Sequence, residues 1–155
     1  MSRVLCIGDL HEPFCLNGYL EFCVDTYNKW DCDNTIFIGD IVDNHYVSYH
    51  ETETCGMGGD DELDKAICNV SRWHDTFPEA MVTIGNHDRL PGRKAQSGGI
   101  PTRWIRAYED VLETPTWKFV TEIEIDGVTY IHGEGGTART RCVKDMRSLV
   151  QGHLH

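Results

Sequence analysis

The chain has 155 residues, 40 % of them hydrophobic and 10 % aromatic, enough to bury a core in one domain over residues 1–155 and too many for intrinsic disorder. With 14 Lys+Arg against 25 Asp+Glu the formal charge is −11, which disfavours broad adhesion to long nucleic acid or anionic lipid because both need a cationic footprint. The apolar runs fall far short of the roughly 20 residues that cross a bilayer, and no signal sequence is recognisable, so a cytoplasmic protein with no membrane partner is expected.

Residues 3–7 form a nearly continuous apolar run that stops at Gly8-Asp9, the pattern of a strand buried on both faces. Residues 17–30 carry Leu20, Cys23, Val24 and Tyr27 at helical spacing and predict a covering helix. Residues 35–38 repeat the strand pattern and stop at Gly39-Asp40. The segment 51–62 is acidic with several glycines and reads as a mobile flap or a plain exposed insertion. From 60 to 77, Leu63, Ile67, Val70, His74 and Phe77 keep a helical period, and the run 81–84 stops at Gly85-Asn86. Arg89, Arg93 and Lys94 then fall in what reads as a basic loop, either solvated or in contact with phosphate, and residues 96–101 read as a second loop. Trp104, Tyr108, Val111 and Leu112 predict a third helix ending before Pro115. Residues 117–125 and 128–131 flank Asp126-Gly127, a dipeptide suited to a two-residue hairpin turn. A short helix over 139–146 and a short strand over 148–150 complete the chain. The order implies an α/β fold of parallel strands and covering helices with a C-terminal antiparallel element.

Seven cysteines, an odd number with no CxxC pair, fit neither a disulfide framework nor a zinc ribbon and are expected as reduced thiols in core positions. The chemistry gathers elsewhere. Asp9 and His11 follow the first strand, Asp40 the second, Asn86 the third, His132 the hairpin, and His153 and His155 the last strand. Loops at the carboxyl ends of strands in an open α/β sheet meet in one crevice, so these side chains should meet. If strand geometry continues past Gly8, Asp9 and His11 project to the same side and can grip one ion. A mixture of carboxylate, imidazole and amide donors suits Mn²⁺, Fe²⁺, Zn²⁺ or Ni²⁺ better than an all-oxygen calcium cage. Seven such side chains are about right for two ions bridged by a carboxylate.

Gly8-Asp9-Leu10-His11, Gly39-Asp40-Ile41-Val42-Asp43, Gly85-Asn86-His87-Asp88, Ile131-His132-Gly133 and Gly152-His153-Leu154-His155 resemble, in order, the five signatures of calcineurin-like metallophosphoesterases. The resemblance implies a four-layer αββα sandwich with two mixed central sheets. It implies a first ion on Asp9, His11, Asp40 and His155, and a second on Asp40, Asn86, His132 and His153. Asp40 would bridge the pair, Mn²⁺ foremost, with a shared water or hydroxide as nucleophile. His87 matches the family's catalytic histidine, a general acid for the leaving oxygen, oriented by Asp43 or Asp88. The activity implied is hydrolysis of a phosphate mono- or diester in a small molecule, nucleotide or phosphoprotein. Asn44 and His45 stand where the phosphoprotein phosphatase branch has Arg and Gly, and Asp88 stands where that branch has Glu, so that branch is not the match. Arg89, Arg93 and His45 are the candidate substrate contacts. The family pattern continues beyond its last signature with further strands, so a form lacking those strands, or completed by another chain, is also expected. A non-catalytic scaffold on the same fold would show eroded ligands, and none is eroded here.

Overall fold

The computed structural model describes residues 1–49 and 57–154. Four strands, β1 (Val4–Ile7), β2 (Asn34–Phe37), β3 (Met81–Thr83) and β4 (Lys118–Val120), form one sheet in the order β1-β2-β3-β4. Every pairing in it is parallel, with Ile7 opposite Phe37, Phe37 opposite Val82 and Val82 opposite Phe119. Parallel neighbours need crossovers. These are supplied by α1 (Tyr19–Trp30) between β1 and β2, and by α2 (Gly59–Thr76) between β2 and β3.

Both faces of the sheet are apolar, and the two-residue period of a strand sorts its residues between them. Leu5, Ile7, Phe37 and Val82 join Cys23 of α1 and Val70 and Trp73 of α2 in the larger core cluster. Phe37 is fully enclosed, with its ring 5.8 Å from Trp73 and 4.7 Å from Trp117. Val4, Cys6, Ile36 and Ile38 face the other way and pack against Ile123, Ile125, Tyr130 and Val150 of a second sheet.

That second sheet is mixed and three-stranded among the described residues: β5 (Ile123–Ile125), β6 (Val128–Ile131) and β7 (Ser148–Gln151). β5 and β6 are antiparallel across Asp126 and Gly127, whose φ values of 51° and 77° are those a tight hairpin turn requires. β6 and β7 are parallel, and α5 (Ala138–Asp145) spans the crossover and contacts β7.

Several expectations are corrected. Among the described residues only the second sheet is mixed, because the antiparallel hairpin pairs with β7 and leaves the larger sheet uniformly parallel. The run expected as one strand over 117–125 divides, with β4 completing the first sheet and β5 opening the second after a break at Thr121-Glu122. The basic loop at Arg89 to Lys94 belongs largely to a helix, α3 (Leu90–Ser97), with Pro91 in its first turn, where a missing N–H costs nothing. Gly92, a poor helix former, hid that helix from a periodicity reading. The helix expected over 104–112 shrinks to α4 (Tyr108–Val111), preceded by a 3-10 turn at Thr102–Trp104. Glu113 with φ 55°, and Thr114 before Pro115, end it. Six cysteines among the described residues are free, but of these only Cys23 is buried and Cys68 is exposed on α2. Among the described residues no helix is long and apolar enough to cross a membrane.

Candidate metal centre

The loops that follow β1, β2, β3, β6 and β7 converge at the carboxyl ends of the strands, and their backbone is unusual there. Asp9, His11, Asp40, Asn44 and His153 all have positive φ, between 41° and 71°, a region that costs a non-glycine residue free energy and is concentrated at functional sites. Asp9 and His11 therefore turn, which corrects the expectation that strand geometry continues through them. The turn is held because His11 N–H donates to the Asp40 carbonyl and Glu12 N–H to the Ile41 carbonyl, each at 2.9 Å. Glu12 is itself buried, its carboxylate accepting from Trp73 Nε1 at 3.0 Å and Asn69 Nδ2 at 2.8 Å. Two glycines let the loops touch. A Cβ on Gly39, which has φ 83°, would lie 2.7 Å from His132 Nδ1, and one on Gly85 would strike the Asp40 side chain.

Asp88 locks this packing from below. Its Oδ2 accepts from the backbone N–H of Asp40 (2.9 Å) and Gly85 (2.8 Å), and its Oδ1 from Ile41 (2.9 Å) and Val42 (3.3 Å). Burial pushes its carboxyl up to about 6, against those hydrogen bonds, which favour the charged form.

Asp40 is the meeting point. Two groups of potential ligand atoms, His11 with Asp40 and His87, and Asp40 with His132 and His153, have mutual separations within 4.8 Å and share its carboxylate. In the second group His132 Nε2 lies 3.2 Å from Asp40 Oδ2, 3.2 Å from His153 Nδ1 and 2.8 Å from Asn86 Oδ1. The other ring nitrogen, Nδ1, donates to the Ile38 carbonyl at 2.8 Å, which orients the ring so that Nε2 faces the cluster. All four atoms, His132 Nε2, Asp40 Oδ2, His153 Nδ1 and Asn86 Oδ1, are of types that can ligate a cation. In the first group His11 Nδ1 is 2.7 Å from Asp43 Oδ1 and its Nε2 is 3.7 Å from Asp40 Oδ2. His87 N–H donates to Asp40 Oδ1 at 2.8 Å, and its ring Nδ1 donates to the Asp43 carbonyl at 2.6 Å.

The charges are mutually tuned. Burial opposes ionisation of Asp40, but hydrogen bonding and proximity to His132 outweigh it and hold the carboxyl below its ordinary value. Burial likewise lowers His132, and the Asp40 carboxylate more than restores it, leaving it raised. His11 is raised chiefly by its hydrogen bond to Asp43.

Asp9, His11, Asp40, Asn86, His87, His132 and His153 thus come together, and Asp9 reaches the others through His153 N–H (3.2 Å) and His132 Nδ1 (3.5 Å). His155 lies outside the described residues, as do His50 and the 51–56 part of the acidic segment. Of the two acids expected beside His87, Asp43 is the neighbour, with Oδ1 3.6 Å from Nδ1, while the Asp88 oxygens are spent on backbone amides. Among the substrate candidates, exposed Arg89 pairs with Glu134, Arg93 lies over the Tyr49 ring at 5.4 Å, and His45 N–H donates to Glu62 at 2.8 Å.

Sequence reasoning missed two supports. Asn44 Nδ2 donates to the His87 carbonyl at 2.9 Å, tying the second loop to the third. Glu62, expected in an exposed insertion, is buried and anchors His45. Its signal was available, because Glu62, Ala66, Val70 and Trp73 share one helical face and all are buried.

A family model described as calcineurin-like phosphoesterase matches residues 2–152. No curated protein and no solved structure matches the chain.

Proposed function

This chain belongs to the calcineurin-like phosphoesterase family, and from that premise we propose that it hydrolyses a phosphate mono- or diester at a dinuclear metal centre bridged by Asp40. The observation that carries the reading is the Asp40 carboxylate, shared between one imidazole group on the His11 side and another on the His132 side. In this reading Asp9, His11, Asp40 and His155 would hold one ion, and Asp40, Asn86, His132 and His153 would hold the other. The donor set of carboxylate, imidazole and amide oxygen suits Mn²⁺, Fe²⁺, Zn²⁺ or Ni²⁺ better than an all-oxygen calcium cage, and the family resemblance puts Mn²⁺ first. Two bound cations would make a water acidic enough to attack phosphorus and would neutralise charge on the phosphoryl oxygens.

The chain's own residues do the rest. Asp43 accepts from His11 and keeps its ring oriented, the role a carboxylate plays behind a ligating histidine. His87 spends Nδ1–H on the Asp43 carbonyl, so its Nε2 is the nitrogen left to protonate a departing oxygen. Asp88 serves as a positioning residue for the Asp40 loop rather than as a partner of His87. The reading also takes residues 1–155 as one domain and α5, which contacts β7, as the outer layer of a four-layer αββα sandwich. Free cysteines support a cytoplasmic setting.

The test is Mn²⁺-dependent hydrolysis of a chromogenic phosphodiester beside the matching monoester, by the full chain and its Asp40→Asn and His87→Ala variants. Metal-dependent turnover that collapses in both variants is expected, and the preferred ester identifies the substrate branch. A folded, metal-loaded chain that turns over neither ester would favour the scaffold reading instead.

A further inference from the structure

Positive charge is unevenly placed in this acidic chain. Residues 89–108 hold five of its 14 cationic side chains and no carboxylate, although the formal charge of the whole is −11. Arg89 is taken up by Glu134. That leaves Arg93, Lys94, Arg103 and Arg106, and among the described residues none of the four is ion-paired with a carboxylate. They share one surface. The Ile100 N–H donates to the Ala95 carbonyl at 2.9 Å and turns the chain back at the end of α3, so that the 3-10 turn at Thr102–Trp104 contacts this helix. Helix α3 also contacts a 3-10 turn at His45–Val47, and Tyr49 follows that turn with its ring centre 3.9 Å from Lys94 Nζ and 5.4 Å from the Arg93 guanidinium carbon. Cation–π attraction there holds two of the four charges in place. Trp104 stands among them, its backbone N–H donating to the Pro101 carbonyl at 3.0 Å while its side chain leaves the residue 77 % exposed.

We propose that this surface binds single-stranded nucleic acid, with the Arg and Lys side chains on phosphates and the Trp104 ring under an unstacked base. Guanidinium groups offer paired donors that match phosphate oxygens, and an aromatic ring left in water is a stacking platform for any base. A duplex keeps its bases stacked on each other and has none to offer such a ring. An anionic bilayer fits less well, even though Ile100 and Ile105 are exposed beside Trp104. A bilayer is an extended plane, and docking on it brings carboxylates around the patch within a Debye length of about 8 Å of the lipid charge. A single strand is narrow and meets the patch alone. The same locality reconciles the proposal with a net charge that disfavours broad adhesion to polyanions. The surface also adjoins the candidate metal centre along the chain: α3 begins three residues after His87, and the His45–Val47 turn two residues after Asp43. The inference concerns binding and does not rest on turnover.

The experiment titrates a short fluorescein-labelled oligothymidylate with the full chain and follows fluorescence anisotropy over a series of salt concentrations. EDTA is present throughout, which stops metal-dependent hydrolysis of the probe. Saturable binding is expected, with log Kd rising against log salt at a slope of about 3, since four cations each displace about 0.7 of a counterion from a single strand. Arg93→Ala combined with Arg103→Ala should lower that slope by about 1.4. Trp104→Ala should weaken binding by about tenfold and leave the slope unchanged. All three side chains are exposed, and circular dichroism reports the fold of each variant. Absence of saturable binding, binding unchanged in both folded variants, or equal affinity for the matching duplex would overturn the proposal. So would binding to phosphatidylserine vesicles in place of the oligonucleotide, which would make the patch a membrane contact. Each of these results leaves the esterase reading intact, and failure of every ester to turn over would leave the binding surface standing.

Discussion

The two ends of the parallel sheet make an instructive contrast. At the amino ends, the polar contacts are ordinary turn chemistry: the Asp33 carboxylate accepts from Arg3 N–H at 2.9 Å and from Asn34 Nδ2 at 2.8 Å. At the carboxyl ends, imidazole nitrogens and carboxylates face each other on a backbone forced into positive φ. Each end has a cavity of several hundred Å³. Volume therefore does not distinguish the functional end; convergent donors, oriented imidazole rings and stored backbone strain do.

The contrast is most sharply tested by substitutions at the two ends. At the carboxyl ends, Asp40→Asn should lower kcat/KM by on the order of 10³, since one carboxylate serves both ligand groups. His87→Ala should cost about 10²–10³ in kcat, with a smaller loss for esters whose leaving group needs no proton. Asp43→Ala should weaken metal affinity by roughly 10–100-fold, read by titration calorimetry, because His11 loses its orienting partner. At the amino ends, Asp33→Ala should leave kcat/KM within about twofold and cost stability about 1 kcal/mol or less, read by urea unfolding. A comparable loss of activity from Asp33→Ala would erase the distinction.

Asp88 offers a pH test at the same carboxyl end. Its native carboxyl is raised to about 6, above the ordinary carboxylate value, so the folded state holds that proton more tightly than the unfolded chain. Its contribution to stability is therefore fully present below about pH 4 and declines as pH rises toward about 6. Asp88→Asn should lose that slope in a melting series across this range. The variant should also be less stable at neutral pH by about 2–3 kcal/mol, because buried backbone amides lose an acceptor.

The carboxyl-end cluster was legible in the sequence because its residues are strand-end punctuation: a buried apolar run, a glycine, then a ligand-type side chain. Asp40, Asn86, His132 and His153 came together as their positions after strands required. What escaped was set by tertiary contact. The sequence around Asp88 does not say that its carboxylate turns away from His87 toward backbone amides, because three of the four amides lie in a loop more than forty residues earlier. The division of the 117–125 run into β4 and β5 is of the same kind, because both pieces are good strands and only their partners differ. Helix α3 was masked by Pro91 and Gly92, residues that weaken a helical signal even where the first turn tolerates them.

The central claim is that Asp40 joins two metal sites. The most direct measurement is an Mn²⁺ titration of the chain followed by electron paramagnetic resonance, beside its Asp40→Asn variant. The expected result is about two ions per chain with an exchange-coupled spectrum at saturation, and loss of that coupling in the variant. A single uncoupled ion per chain, unchanged by the substitution, would contradict it.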